Sequence, residues 1–138
     1  MKDNPDICRT TTVNTNIGLY GGIALNIRFA KRGSTLIASF SGELDHHFAE
    51  YARNKIDGEL LKATTRDVIF DFSGLSFMDS SGIGVIAGRY ANVKKLGGKA
   101  AIICTDKKIR RILEISGILK LMPVFENLNS ALDALRSA

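Results

Sequence analysis

Residues 67–85 read DVIFDFSGLSFMDSSGIGV. Val68, Ile69, Phe70 and Phe72, interrupted only by Asp71, form the near-continuous apolar run of a strand covered on both faces. Ser73 and Gly74 make a short polar break, and Leu75, Phe77 and Met78 a second apolar step. Asp79-Ser80-Ser81 then meets Gly82-Ile83-Gly84, where a helical period begins. Asp and Ser favour helix N-termini because their side-chain oxygens accept bonds from backbone N–H groups that lack an intrahelical partner. The stretch therefore predicts a strand over 67–72, a connection of about nine residues to the first glycine of the helix, and two adjacent hydroxyls at the helix's positive end. That is a place to hold or receive a phosphate.

On the N-terminal side, Leu25, Ile27 and Phe29 alternate with polar residues, as do Leu36, Ala38 and Phe40 after a turn at residues 31–34, which predicts a β-hairpin. Gly42-Glu43-Leu44-Asp45 closes the second strand, with Asp45 placed to cap a helix in which Ala49, Ala52, Ile56 and Leu60 face inward, running to about Lys62. Residues 1–22 sustain no period and read as a flexible N-terminal extension to a core of residues 23–138. On the C-terminal side, Ile83, Ile86, Ala87, Tyr90 and Val93 line one helix face, and Gly97-Gly98 stops the helix. Residues 100–104 are a further apolar strand. Asp106 is placed to cap a helix with Ile109, Ile112 and Leu113 inward, ending at Ser116-Gly117. Residues 121–125 are a short edge strand containing Pro123, and Asn127 or Asn129 opens a last helix with Leu128, Leu132 and Leu135 inward. The order β-β-α-β-α-β-α-β-α predicts an α/β single domain, with a mainly parallel sheet, right-handed crossovers and an N-terminal β-hairpin.

At 138 residues, 45% apolar and 24% charged, the chain has the composition of one soluble globular domain. No signal-peptide core and no membrane-spanning run is present in the sequence, so a cytoplasmic protein is expected. Cys8 and Cys104 lack metal-ligand spacing and read as free thiols. Of the net charge of +5, much sits between Arg89 and Lys120, where nine basic residues face two acidic ones. Aromatics do not interleave with these cations as a nucleic-acid stacking platform requires, so solvated helix faces are the reading, without nucleic acid or membrane as partner.

Three chemistries compete for Asp79-Ser80-Ser81-Gly82-Ile83-Gly84. A catalytic serine needs a base, and neither a G-x-S-x-G elbow nor an S-x-x-K motif is present; His46 and His47 are adjacent at a helix start, a place usually solvated. A dinucleotide fingerprint expects the strand to run almost directly into the first glycine, and the residues after Phe72 lengthen that connection. On that reading Gly82 and Gly84 serve a tight turn. In the third chemistry, the serine is a substrate that another protein phosphorylates.

The segments Gly42-Glu43-Leu44-Asp45-His46-His47, residues 75–85, Gly88-Arg89-Tyr90 and Ser116-Gly117-Ile118 resemble the STAS-domain family of anti-anti-sigma factors, and its sporulation branch more than its general-stress branch. The resemblance runs from about residue 24 to the end and agrees with the element order. It implies a partner-switching protein, not an enzyme, with no cofactor. In the family, the unphosphorylated form binds an anti-sigma factor that is also an ATP-dependent serine kinase, and so releases the sigma factor. The kinase phosphorylates the first serine of the Asp-Ser-Ser-Gly loop, here Ser80, and a metal-dependent serine phosphatase restores it. Asp79, Ser81, Gly82, Ile83 and Gly84 are implied as the surrounding partner surface. Asp45 joins that surface if its strand runs parallel to the 67–72 strand, and capping its own helix is the competing role. A general-stress antagonist or a STAS module binding a nucleotide or other small ligand is the alternative.

Overall fold

The computed structural model describes residues 9–12, 18–20, 23–62 and 65–136. The elements are β1 (Arg9–Thr12), β2 (Gly18–Tyr20), β3 (Ile23–Arg32), β4 (Thr35–Leu44), α1 (Ala49–Leu60), β5 (Asp67–Met78), α2 (Ser80–Lys95), β6 (Ala100–Ile103), α3 (Lys107–Ser116), β7 (Val124–Phe125) and α4 (Leu128–Arg136), with a 3-10 turn at Ile118–Lys120. From β3 onward this is the order that the residue pattern predicts. The strands form one sheet in the order β1-β3-β4-β5-β6-β7, and β2 also pairs with β3. β3 and β4 are an antiparallel hairpin, while β4–β5, β5–β6 and β6–β7 are parallel. Gly33, with φ of 60°, supplies the left-handed residue of the hairpin turn.

Period-2 alternation explains the layers. Leu25, Ile27 and Phe29 of β3, Leu36, Ala38 and Phe40 of β4, and Val68, Phe70 and Phe72 of β5 point to one face, where α1, α2 and α3 cover them. Ile37, Ile69, Ala101 and Ile103 point to the other face, under Ala131, Leu132 and Leu135 of α4. Residues 68–72 of β5 (apart from the half-buried Asp71) and all of β6 are buried on both faces, which is why they read as near-continuous apolar runs. Asp106 caps α3 by accepting from the Lys108 and Ile109 amides, and Gly117 (φ 83°) ends it. Asn127 is the asparagine that opens α4, its Oδ1 accepting from Ser130 N at 2.8 Å.

Several details differ from the sequence reading. β5 does not stop at Phe72: it continues through Ser73 and Gly74 to Met78, with register irregularities against β4 between Ser39 and Ser41 and between Gly42 and Glu43. A Cβ on Gly74 would meet the Phe40 carbonyl oxygen at 2.8 Å, so glycine here permits a close backbone approach inside a ladder and does not mark a loop. α1 begins at Ala49, after a turn in which Phe48 N donates to the Asp45 carbonyl at 3.1 Å, and it has no side-chain cap. Asp45 is therefore not its N-cap. β7 is reduced to two residues at the sheet edge, because Leu121 and Met122 finish the preceding turn. Within residues 1–22, β1 and β2 both pair with β3. Cys104 is a buried free thiol, and Cys8 lies outside the described residues.

Candidate functional site

The C-terminal ends of β4 and β5 lie side by side, with Leu44 paired to Met78, so the segments that follow them meet. Only Asp79 separates β5 from α2, and its backbone (φ −119°, ψ −172°) is still extended. Asp79 joins the two segments. Its Oδ1 accepts from Ser81 N at 2.9 Å and Gly82 N at 3.2 Å, capping α2. Its Oδ2 accepts from His46 N at 3.1 Å and lies 3.5 Å from His46 Nδ1. Asp79 N in turn donates to the Leu44 carbonyl at 3.3 Å. Partial burial pushes the Asp79 carboxyl up, but the amides of Gly82, His46 and Ser81, with the His46 ring, outweigh it and hold the group below the ordinary carboxylate range.

Ser80 is the first residue of α2 and is exposed; Ser81 is half-buried. Gly82 is buried, and a Cβ there would meet the Leu44 carbonyl oxygen at 2.6 Å and Leu44 Cγ at 2.9 Å, so glycine lets α2 begin hard against the end of β4. Ile83 is half-buried against the core, whereas Gly84 is exposed with open space around its Cα. Asp45 is buried and shapes the neighbouring turn: its Oδ1 accepts from His47 N at 2.9 Å, and Oδ2 lies 3.4 Å from His47 Nδ1. The two histidine rings stand 4.0 Å apart, tilted by 36°. Asp45 thus reaches the site through His47, and what it offers a partner directly is small.

The other sequence-predicted residues, Asp79, Ser80, Ser81, Gly82, Ile83 and Gly84, are contiguous and gathered at this sheet end. The residue pattern did not single out Phe77, which reads as part of an apolar strand but is 43% exposed beside the site. Its place is explained by a break in the alternation: Leu75 pairs with Gly42 but Phe77 with Glu43, and this register shift leaves Leu75 and Met78 in the buried positions and turns Phe77 out. His46, read as a solvated residue, is exposed but tethered to Asp79.

The connection length that spoke against a glycine fingerprint is also corrected, because the strand does run almost into the helix. The fingerprint fails on other grounds. The Ser81 and Gly82 amides that a pyrophosphate would need already bond a carboxylate, and that carboxylate repels an anion. Holding a free phosphate is disfavoured here for the same reason. Arg89, counted with the basic half, is buried, its Nε 2.9 Å from Asp57 Oδ1 in a charge contact not aligned as a hydrogen bond.

The STAS domain family profile matches residues 26–131. This chain belongs to the STAS-domain family, among the anti-sigma factor antagonists. It is 36% identical over 111 residues to the anti-sigma F factor antagonist of Paenibacillus polymyxa, covering 80% of this chain and 95% of that one. Its identity to the anti-sigma-B factor antagonist of Bacillus subtilis is 26% over 105 residues, covering 72% of this chain and 90% of the other. Among solved structures, unphosphorylated SpoIIAA superposes with a TM-score of 0.70 at 28% identity, covering 81% of this chain and 97% of that one. The phosphorylated form of the Bacillus cell fate determinant SpoIIAA gives 0.62 at 29% identity, covering 80% and 99%. In this STAS domain, among the described residues, no helix is long and apolar enough to cross a membrane.

Proposed function

We propose that this STAS protein is a cytoplasmic regulatory binding protein switched by phosphorylation of Ser80. Unphosphorylated, it binds a serine-kinase anti-sigma factor in its ATP- or ADP-bound state and so frees a sporulation-type sigma factor. The kinase phosphorylates Ser80 and ends the interaction, and a metal-dependent serine phosphatase resets it. The observation that carries this reading is the pairing of an exposed Ser80 with a carboxylate that has already taken the helix amides. A phosphate added at Ser80 brings about −1.5 to −2 charges at neutral pH. With Asp79 occupying the N–H groups, the domain has little to fold around that charge. The phosphate is displayed outward, and the partner bears the penalty.

A loss of about 3 kcal/mol at the interface weakens a complex more than a hundredfold. Phe77, exposed beside the serine, supplies an aromatic anchor of the kind that concentrates binding energy. The partner surface therefore comprises Asp79, Ser80, Ser81, Gly82, Ile83 and Gly84, with Phe77 beside them and Asp45 shaping the rim. Two relatives support the reading: one anti-sigma F factor antagonist shares 36% of aligned residues, and SpoIIAA is known in both unphosphorylated and phosphorylated forms. The sigma-F type is favoured over the general-stress type by that 36% identity against 26%.

The test is incubation with the candidate kinase anti-sigma factor and ATP, followed by mass-spectrometric site mapping, alongside a pull-down with ADP. Ser80→Ala is expected to abolish phosphorylation and keep binding. Ser80→Asp is expected to weaken binding less than phosphate does, since a carboxylate carries one charge and two acceptor oxygens. Both should melt at the wild-type temperature because Ser80 is exposed. Phosphate incorporation into Ser80→Ala, or wild-type binding by the fully phosphorylated protein, overturns the mechanism.

A further inference from the structure

At the far end of the domain from Ser80, the C-terminal ends of α1 and α2 stand apart around an open cleft of about 530 Å³. Leu60, Leu61, Val93 and Leu96 form its apolar wall, with Arg66 and Lys95 on the rim. Leu61 and Leu96 are each 86% exposed, the most exposed large apolar side chains among the described residues. The cleft's one carboxylate, Asp57, is engaged by Arg89; Arg66 lies 3.6 Å from Asp67 Oδ1 but keeps 60% of its side chain exposed, so together with Lys95 it gives the rim positive charge. The Thr65 hydroxyl in the same wall is buried and has no hydrogen-bond partner among the described residues. α2 is 16 residues long, so at about 1.5 Å per residue this cleft lies roughly 22 Å from Ser80.

We propose that this cleft is a second docking surface, which seats an amphipathic helix carrying aliphatic anchors on one face and Asp or Glu along its flanks. An apolar channel between two helix ends accepts the ridge of a third helix, read as anchors at i, i+3 or i+4, and i+7. Charge selects the occupant. A second copy of this chain would set one basic rim against another, which costs energy, whereas acidic flanks complement Arg66 and Lys95. In the chain's own residues 1–8, Met1, Pro5 and Cys8 stand at i, i+4 and i+7, but a proline at the central anchor removes a helical backbone bond and breaks the helix that the cleft would need. Because the cleft is remote from Ser80, its occupant binds whether or not the switch is phosphorylated.

The test uses the full chain, ¹⁵N-labelled. The probes are a synthetic amphipathic helix with Leu at i, i+3, i+4 and i+7 flanked by Glu, and a twin with Lys in place of Glu. The Glu peptide is expected to shift the amides of Leu60, Leu61, Val93 and Leu96 and to leave those of residues 79–84 in place. Its affinity should fall as salt rises, and the Lys twin should bind at least tenfold more weakly. Leu96→Glu and Lys95→Glu should each lower affinity about tenfold or more at an unchanged melting temperature; Lys95→Glu keeps the test valid if Leu96→Glu fails to fold. Ser80→Asp should bind the peptide as wild type does. Shifts centred on residues 79–84, equal binding of the two peptides, or wild-type affinity in Lys95→Glu overturns the proposal. So does concentration-dependent self-association, seen by sedimentation, that Leu96→Glu abolishes.

Discussion

Replacing Gly82 with alanine puts the close junction of α2 and β4 to a quantitative test. Alanine is the better helix former by about 0.8–1.0 kcal/mol, so in open space the substitution stabilises. Here the new Cβ would lie 2.6 Å from the Leu44 carbonyl oxygen, 2.9 Å from Leu44 Cγ and 3.0 Å from Met78 Cγ. Carbon and oxygen settle at about 3.3 Å or more, so the first turn of α2 must retreat by roughly 0.7 Å from a backbone atom that cannot rotate away. Overpacking of this kind costs about 1–3 kcal/mol. The same carbonyl accepts from Asp79 N at 3.3 Å, a bond already long, and losing it adds about 0.5–1.5 kcal/mol. The net expectation is a destabilisation of about 1–3 kcal/mol. Gly84 and Gly88 sit in the same helix, and a Cβ added at either would meet nothing within 4 Å, so alanine there is expected to stabilise by up to about 1 kcal/mol. Urea unfolding of the three variants, analysed at a common m-value, should separate Gly82→Ala from the others by about 1–4 kcal/mol. A Gly82→Ala protein as stable as Gly84→Ala or Gly88→Ala refutes the close-contact argument.

Ile86 is fully buried on the core face of α2, so Ile86→Ala should lower stability by about 2–5 kcal/mol, and an unchanged melting temperature would mean that α2 presents a different face. Asp79 gives a pH signature. Partial burial pushes its carboxyl up, yet the amides of Gly82, His46 and Ser81 and the His46 ring win, leaving the folded-state value below the unfolded one. Its contribution is therefore fully present above pH about 4 and is lost as pH falls through the lowered folded-state value. The stability gap between wild type and Asp79→Asn should narrow as pH drops from about 5 to about 3, and a gap constant over that range would count against the cap.

The periodic parts of the fold were legible in the sequence because burial enforces them. Ile109 and Leu113 on α3, Leu132 and Leu135 on α4 and the alternating hairpin residues all sit where their spacing puts them. The misreadings at Gly74 and Arg89 have a common cause, local chemistry answered by a distant partner, whereas Asp45 meets a competing partner two residues away. Ser73 and Gly74 look like a break, but they lie in an irregular ladder where Gly74 yields to the Phe40 carbonyl. Asp45 looks like a helix cap, but it spends its oxygens on His47 in a preceding turn. Arg89 looks like one more surface cation, but Asp57 on another helix draws it inward. In the site itself, Asp79 was legible as a cap because the bonded amides are two and three residues away. Its bond to His46 spans 33 positions and has no local signature.

The pairing of β1 and β2 along β3 bears on how this domain behaves in a crowded mixture of chains. Arg9–Thr12 lies against the Arg28–Lys31 half of β3, and Gly18–Tyr20 against its Ile23–Leu25 end, so the outer side of the hairpin is occupied by strands of four and three residues. The opposite margin of the sheet, among the described residues, is β7, only two residues long. Long, flat, unpaired edges are what templates intermolecular strand addition and fibril growth, and short margins suppress both. The protein is thereby steered away from β-augmentation as a means of association, and its complexes are left to side-chain surfaces at the ends and helical face of the sheet.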